Sequence, residues 1–368
     1  MSGMAQNVPF VDLPKQNSEI IDDAMRRVRK VIEHGGYILG PEVGEFESTL
    51  AEFLNVDHVI GVNSGTDALV LSLRAHGIGP GDEVIMPSHT FLATAAAIRL
   101  VGATPVFADV DRKSMLMDAQ TARACMTDRT AALLPVHLNG YPCDMPALNA
   151  LAAEHNLIVI EDAAQSLGAR RQDRATGSFG TGCFSLHPLK VLGACGDAGF
   201  ITTSDAGLAQ ELRERRNLGL ENRDEAAHIS GNSRLDTLHA AILLAKLPKL
   251  PEWIERRRAH AAAYREALAG LVTLPHSEPD VREIFSPFVI RVDEDRDGLQ
   301  KSLLANGIDT KVHYPIPVHR QKPYAEFARS ALPETEMLAK TILSIPCSPE
   351  LSKEQRDRVI AAIQEERS

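Results

Sequence analysis

The sequence predicts an α/β protein, with a large, mainly parallel α/β/α sheet domain followed by a smaller α+β C-terminal domain. From Asn55 onward, apolar runs of four to six residues (VIGV, EVIMP, PVFADV, AALLPV and LIVIED) alternate with helix-like stretches. Strands of a parallel sheet, covered on both faces by their crossover helices, read this way. After Pro275 the alternation stops and short strand-like and helical pieces mix. The 368 residues, at roughly 150 per domain, leave room for such a second unit.

The elements follow in order. Ile20, Ile21, Met25, Val28 and Val31 recur at near-helical spacing between Ser18 and His34, and Gly35-Gly36 ends that helix. The five apolar runs come next, then two further strand-like runs, CFSL at 183–186 and GFITT at 199–203, joined by a loop carrying Lys190. A helix-rich stretch runs from Asp205 to about Leu268, with helices expected at Leu235 to Leu247 and across EWIERRRAHAAAYREAL. The triplet Arg256-Arg257-Arg258 reads as a solvated helix face rather than an anion site. Beyond Pro275 we expect a strand in FSPFVIRV, a helix to Gly307, a strand in IDTKVHYP, a Pro-rich loop and a last helix from Lys353.

With 44% hydrophobic and 24% charged residues the chain is globular rather than disordered. Its formal charge of −10 argues against a nucleic-acid coat. No apolar run reaches the roughly 20 residues that span a bilayer, and no leader pattern opens the sequence, so no membrane partner and a cytoplasmic address are expected. Cys125, Cys143, Cys183, Cys195 and Cys347 are too scattered for a disulfide framework or a zinc ribbon. The 13 histidines match no common metal spacing, so no metal site is expected.

Three segments can carry chemistry. At Asn63-Ser64-Gly65-Thr66-Asp67 a strand passes into a helix, whose first amides and positive dipole end suit a phosphate. The same residues also read as a plain Ser-capped helix. From Val159 to Ser166 an apolar strand ends in Glu161 and Asp162. Ligands of open α/β sheets lie beyond the carboxyl ends of strands, where Asp162 could pair with a cationic ring nitrogen or cap the next helix. Lys190, after Phe184-Ser185-Leu186-His187-Pro188-Leu189, follows a strand among small residues. It is either a surface lysine or a partly buried one whose depressed pKa makes it an imine-forming nucleophile. Gly77-Ile78-Gly79-Pro80-Gly81 lies between a helix and a strand, the wrong order for a dinucleotide loop, and reads as a turn.

The order of these segments resembles the DegT/DnrJ-type aminosugar-forming (nucleotide-sugar) aminotransferases, a branch of the fold type I pyridoxal-phosphate enzymes. The likeness runs from GYILGPEVGEFE through SGTDAL, GIGPGDEVIMPSHTFLATAAAI, GATPVFADVD, EDAAQSLGA, FSLHPLK and GNSRLDTLHAA to HYPIPVH. It implies pyridoxal 5'-phosphate as cofactor, with Lys190 as the catalytic Schiff-base lysine and proton carrier. Asp162 would lie under the pyridine nitrogen, Phe91 would stack on the ring and Gln165 would sit near the ring hydroxyl. Gly65, Thr66 and Ser185 would cradle the phosphate, helped by Asn232 from the neighbouring subunit of a homodimer with shared sites. His187, Tyr314 and His319 fall on the substrate side. Residues 1–250 would form the large cofactor-binding domain and 251–368 the small one.

The resemblance further implies a keto-sugar acceptor, nucleotide-linked, and glutamate as amino donor. The stretch KVLGACGDAG after Lys190 resembles members acting at C3 rather than the Gly-Glu-Gly-Gly members acting at C4. A C4 keto-sugar, a non-nucleotide keto-sugar, a keto-cyclitol and a non-catalytic regulatory role are the other readings. Lys190 argues against the branch with histidine at this position, and His187 departs from the aromatics frequent at its own.

Overall fold

The computed structural model describes residues 7–367; the expectation drawn from the first residues of the sequence falls largely outside the described residues. Among the described residues the strands are β1 (His58–Val62), β2 (Glu83–Pro87), β3 (Thr104–Ala108), β4 (Thr130–Leu133), β5 (Ile158–Asp162), β6 (Arg170–Arg171), β7 (Arg174–Ala175), β8 (Thr181–Ser185), β9 (Gly199–Thr203), β10 (Val281–Arg282), β11 (Phe288–Arg291) and β12 (Ile342–Ile345). Seven of them form the main sheet, in the order β1-β9-β8-β5-β4-β2-β3. The pairs β2/β3, β2/β4, β4/β5 and β5/β8 are parallel, whereas β9 runs antiparallel to both β1 and β8. All seven expected apolar runs became strands of this sheet, and the run AALLPV ends as a strand at Leu133, before Pro135, which brings no ladder N–H.

The strand period of two sorts side chains between two cores. Ile60, Val62, Cys183 and Ile201 face one side, against the helices Gly65–Ala75, Leu92–Leu100, Met145–His155 and Ala206–Arg215. Their neighbours Val59, Phe184 and Phe200 face the other, against the helices Pro41–Leu54 and Thr237–Lys246. Phe184 stacks on Phe200 across β8 and β9, with centroids 4.3 Å apart and planes within 7°. This double cover explains why β2 and β9 are buried at every position.

A third core gathers Tyr264, Phe288, Ile290, Leu299, Leu303, Leu343, Val359 and Ile363 around the antiparallel pair β11/β12. Val8 joins it: its amide donates to the Gly307 carbonyl at 2.8 Å, and its carbonyl accepts from the Asp309 amide at 2.9 Å. The helix Leu250–Ala267 serves two cores, with Leu250 and Ile254 in the second and Ala261 and Tyr264 in the third.

Several local expectations need correction. IDTKVHYP is no strand. It makes isolated bridges only, Ile308 to Val8 and Lys311 to Ser344, because Pro315 and Pro317 withhold the amides a ladder would need. The first helix begins at Ile21, preceded by a separate short helix Leu13–Ser18. The Arg triplet is not a solvated face throughout. Arg256 pairs with Glu19 and Glu252, but Arg257 is 5% exposed and lies against the Phe285 and Cys347 carbonyls.

Phe184 is 1% exposed and has its stacking partner on the neighbouring strand. Phe184→Ala is expected to lower unfolding stability by ~3–5 kcal/mol, the cost of a large buried ring plus its cavity. A denaturant titration should show this as a lower midpoint at unchanged slope.

Candidate active site

The parallel strands deliver their carboxyl ends to one edge of the sheet, and the expected residues collect there. Asp162 is the last residue of β5 and is 5% exposed. Its Oδ2 accepts from Thr94 Oγ1 at 2.8 Å, and its Oδ1 accepts from the Ala164 amide at 3.2 Å. Burial pushes its carboxyl pKa up, while Thr94, Ala164, Lys190 and His137 pull the other way. Glu161, one residue earlier, points to the opposite face and is fully committed. It accepts from His137 Nε2 at 2.9 Å and from the Gly177, Phe179 and Gly180 amides at 2.8 Å each. Of the two acids that end this strand, Asp162 alone is left for a ligand.

Lys190 sits in the loop between β8 and β9, its amide donating to the His187 carbonyl at 2.8 Å. The side chain is half-buried. Burial pushes its ammonium pKa down and the Asp162 carboxylate opposes that shift. Half-buried in that loop, Lys190 is not a fully exposed surface lysine, and Asp162 is the charge that acts on it.

The helix Gly65–Ala75 starts beside this loop. Ser64 caps it through Oγ, which accepts from the Asp67 amide at 3.0 Å. The cap and the anion site are compatible, since helix geometry still leaves the amides of Gly65 and Thr66 without intrahelical acceptors. A Cβ on Gly65 would stand 2.7 Å from Ser185 Cβ, so only glycine lets the helix start and the end of β8 close into a cradle. Gly199 is equally constrained, at 2.5 Å from the Ser64 carbonyl carbon.

The Phe91 ring is 53% exposed and tilts against Tyr314 at 5.6 Å. Gln165 Nε2 donates to the Tyr314 hydroxyl at 3.1 Å, and its Oε1 accepts from the Asn139 amide at 2.8 Å. Burial pushes the Tyr314 phenol up to about 12. His187 is exposed, next to Ser185 through an amide-to-Oγ contact of 3.3 Å. His319 is 3% exposed with both ring nitrogens engaged, Nδ1 with Ser88 Oγ at 2.7 Å and Nε2 with Glu336 at 3.2 Å. Asn232 is exposed, and its Oδ1 accepts from the Arg234 amide at 3.4 Å. It belongs to the segment that lies along the end of β1, where the Ser233 carbonyl accepts from the Asn63 amide at 3.0 Å.

Sequence reasoning missed Thr94, Thr90 and Asn139, which orient Asp162 and Gln165. The signal was available for Thr94: it sits in the first turn after β2, at the same sheet edge. It also missed His89, buried with Nε2 unpartnered and its pKa lowered by burial to about 4.

The donor set fits the pyridine cofactor that the resemblance implies. A glycine-only cradle at a helix start suits its phosphate, a buried acid suits its ring nitrogen, an exposed aromatic face suits its ring, and a desolvated amine suits its aldehyde.

A lysine with a depressed pKa carries more neutral amine at a given pH below its ordinary value. On brief reductive methylation of the cofactor-free protein near pH 8, Lys190 should therefore be modified ahead of the exposed lysines, as read by peptide mass spectrometry. Asp162→Asn removes the charge that opposes the shift, so Lys190 should react faster still. A slower reaction in that variant would contradict the electrostatic pairing.

Residues 18–364 match the DegT/DnrJ/EryC1/StrS aminotransferase family. The chain is 44% identical over 372 residues to the dTDP-3-amino-3,4,6-trideoxy-alpha-D-glucose transaminase of Streptomyces venezuelae, covering 99% of this chain and 98% of that one. It is 43% identical to the UDP-N-acetyl-3-dehydro-alpha-D-glucosamine 3-aminotransferase of Acidithiobacillus ferrooxidans, covering 98% of each. Among solved structures, S. venezuelae DesV in complex with a ketimine intermediate superposes with a TM-score of 0.97 at 43% identity, over 99% of both chains. With a family match over nearly the whole chain, close relatives and a site of the right chemistry, the chain belongs to the DegT/DnrJ/EryC1/StrS aminotransferase family and is a pyridoxal-phosphate-dependent aminotransferase.

Proposed function

We propose that this protein transfers the amino group of glutamate to the C3 keto group of a nucleotide-linked deoxyhexose, working in the cytoplasm as a homodimer with shared sites. The observation that carries the reaction is that the buried Asp162 at the end of β5, the loop of Lys190 after β8 and the Gly65 helix start gather at one edge of the sheet. The acceptor rests on the relatives: both curated relatives named above are described as acting at position 3 of a nucleotide-linked sugar. The stretch after Lys190 supports the same position, and the donor follows from the family resemblance. Five free cysteines support a reducing compartment. The division after residue 250 is part of this reading, supported by the separate core around β11 and β12.

Bound pyridoxal phosphate supplies a carbonyl that exchanges amines and a conjugated ring that accepts the electron pair freed when a C–H bond breaks. The side chains do the rest. Lys190, whose ammonium pKa burial pushes down, would hold the cofactor through its amine and would serve as the base that moves the proton at the substrate carbon. Asp162, held by Thr94 and the Ala164 amide, would be the carboxylate that keeps the pyridine nitrogen protonated. The Gly65 and Thr66 amides and the Ser185 hydroxyl would hold the phosphate, Phe91 would stack on the ring, and Gln165 with Tyr314 would lie near the ring hydroxyl. His187, exposed at the mouth, is on the side where a sugar arrives; His319 acts from behind, bracing Ser88.

The dimer is supported by Asn232, which reaches out from the chain, and by apolar residues left on the surface. Met25 and Ile32 of the helix Ile21–His34 are 59% and 58% exposed, and Ile38 beyond it is 54% exposed. Large apolar side chains grouped on one face mark a surface that a partner covers.

Two experiments test this reading. Matched 3-keto and 4-keto sugar nucleotides offered with glutamate should give a new amine at C3, located by NMR, and Lys190→Ala should give none. Exclusive amination at C4 would overturn the acceptor while leaving the reaction class standing. Mixing inactive Lys190→Ala with an inactive Asn232→Ala variant under subunit exchange should restore one complete site per heterodimer. No recovery with exchange confirmed would count against shared sites.

A further inference from the structure

Lys246 ends the helix Thr237–Lys246 and is 1% exposed, so its ammonium lies in the interior. Lysine is almost never fully buried without a partner. Its partner is a backbone atom of the loop that carries Lys190: Nζ donates to the Gly193 carbonyl at 2.7 Å. Gly193 closes that loop on itself. A Cβ there would stand 2.3 Å from the Pro188 carbonyl oxygen, and the next amide, Ala194, donates back to Leu186 at 2.7 Å. The loop thus forms an arc, Leu189 to Leu192, whose two feet touch at Pro188 and Gly193, and Lys246 grips one foot.

The same helix touches the loop a second time. The His239 ring stands 3.0 Å from where a Gly196 Cβ would be. At its start, Thr237 Oγ1 accepts from the Gly40 amide at 3.0 Å, and the Asn232 segment leads directly into it. One rigid helix therefore joins the loop of Lys190 to the segment proposed to serve the partner's site. A buried carbonyl needs a donor, and here the donor is a long cationic side chain rather than a neighbouring amide. The titratable groups facing Lys246 are Cys195, in the same loop, and the buried Glu350.

We propose that Lys246 is a positioning residue for Lys190: by holding the Gly193 carbonyl it sets the arc from which the Lys190 amine is presented. This rests on the reading of Lys190 as the imine-forming lysine. A residue that merely stabilised the fold would change the melting temperature and leave the chemistry of Lys190 untouched. A positioning residue changes how that amine meets its partners, Asp162 and, within electrostatic reach, His313.

The test uses the holoenzyme. The visible imine band is titrated against pH, and kcat and KM for glutamate are measured in wild type, Lys246→Met and Lys246→Arg. In Lys246→Met, nearly isosteric but without the donor, the band should form with a displaced midpoint. Its kcat should fall about tenfold or more, the scale on which small misplacements act, with KM changed far less. Lys246→Arg, which keeps a cationic donor, should recover most of kcat. If Lys246→Met does not fold, Lys246→Leu, which also lacks a donor, is measured in its place. A folded variant with wild-type midpoint and kcat overturns the proposal, whether or not it melts earlier. Failure of both variants to fold also counts against it, because it assigns Lys246 to the fold as a whole. A wild type with no imine band, or with one that persists in Lys190→Ala, overturns the reading of Lys190 itself.

Discussion

An acid buried at the end of a strand constrains everything around it. Asp162 resists ionisation in its place, and it stays useful only because donors from elsewhere in the fold converge on it. Thr94 comes from the helix after β2, Ala164 from the turn after β5, and the charge of Lys190 from the loop after β8. These positions coincide only when β2, β4, β5 and β8 are parallel and in register, so that their carboxyl ends finish together. Shifting one of these strands by a residue would turn its side chains to the other face and break the set.

Glu161 and Asp162 show how one strand can serve stability and chemistry with adjacent residues. Facing opposite ways, they meet opposite fates. Glu161 is saturated by an imidazole and three backbone amides, and so fastens the turn at Gly177–Gly180 to the strand. Asp162 keeps acceptor capacity in reserve. A buried carboxylate with every lone pair occupied is a structural fastener, whereas one partly satisfied is a site.

The sheet was legible because its strands are buried on both faces and so read as uninterrupted apolar runs; all seven were located from VIGV to GFITT. The site was legible where chemistry demands a rare residue in a fixed context: Lys190 in its small-residue loop, Asp162 at a strand end, Gly65 at a helix start. What escaped depends on tertiary contact. β12 is four residues before a proline and has no pattern of its own, existing because β11 pairs with it. Thr94 is an ordinary residue in an alanine-rich helix until Asp162 is placed opposite. IDTKVHYP has strand-like residues, but its contacts stop at single bridges to Val8 and Ser344. Val8 lies far in sequence from the core it completes.

β9 runs against the rest of the sheet, and it alone joins β1 to the other strands. During synthesis, β1 leaves the ribosome about 140 residues before its sheet partner among the described residues, since His58 pairs with Thr203. Until then both its edges are bare, and an unpaired apolar edge is a template for other chains. The helix start at Gly65 is likewise unsupported until Gly199 packs against Ser64. The nascent chain must therefore carry its first strand unmatched through the making of most of the sheet, a long-range closure of the kind that slows folding and exposes intermediates to aggregation. The step that finally shelters β1 is the one that closes the loop around Lys190, so the reactive lysine comes to rest only as the sheet is completed.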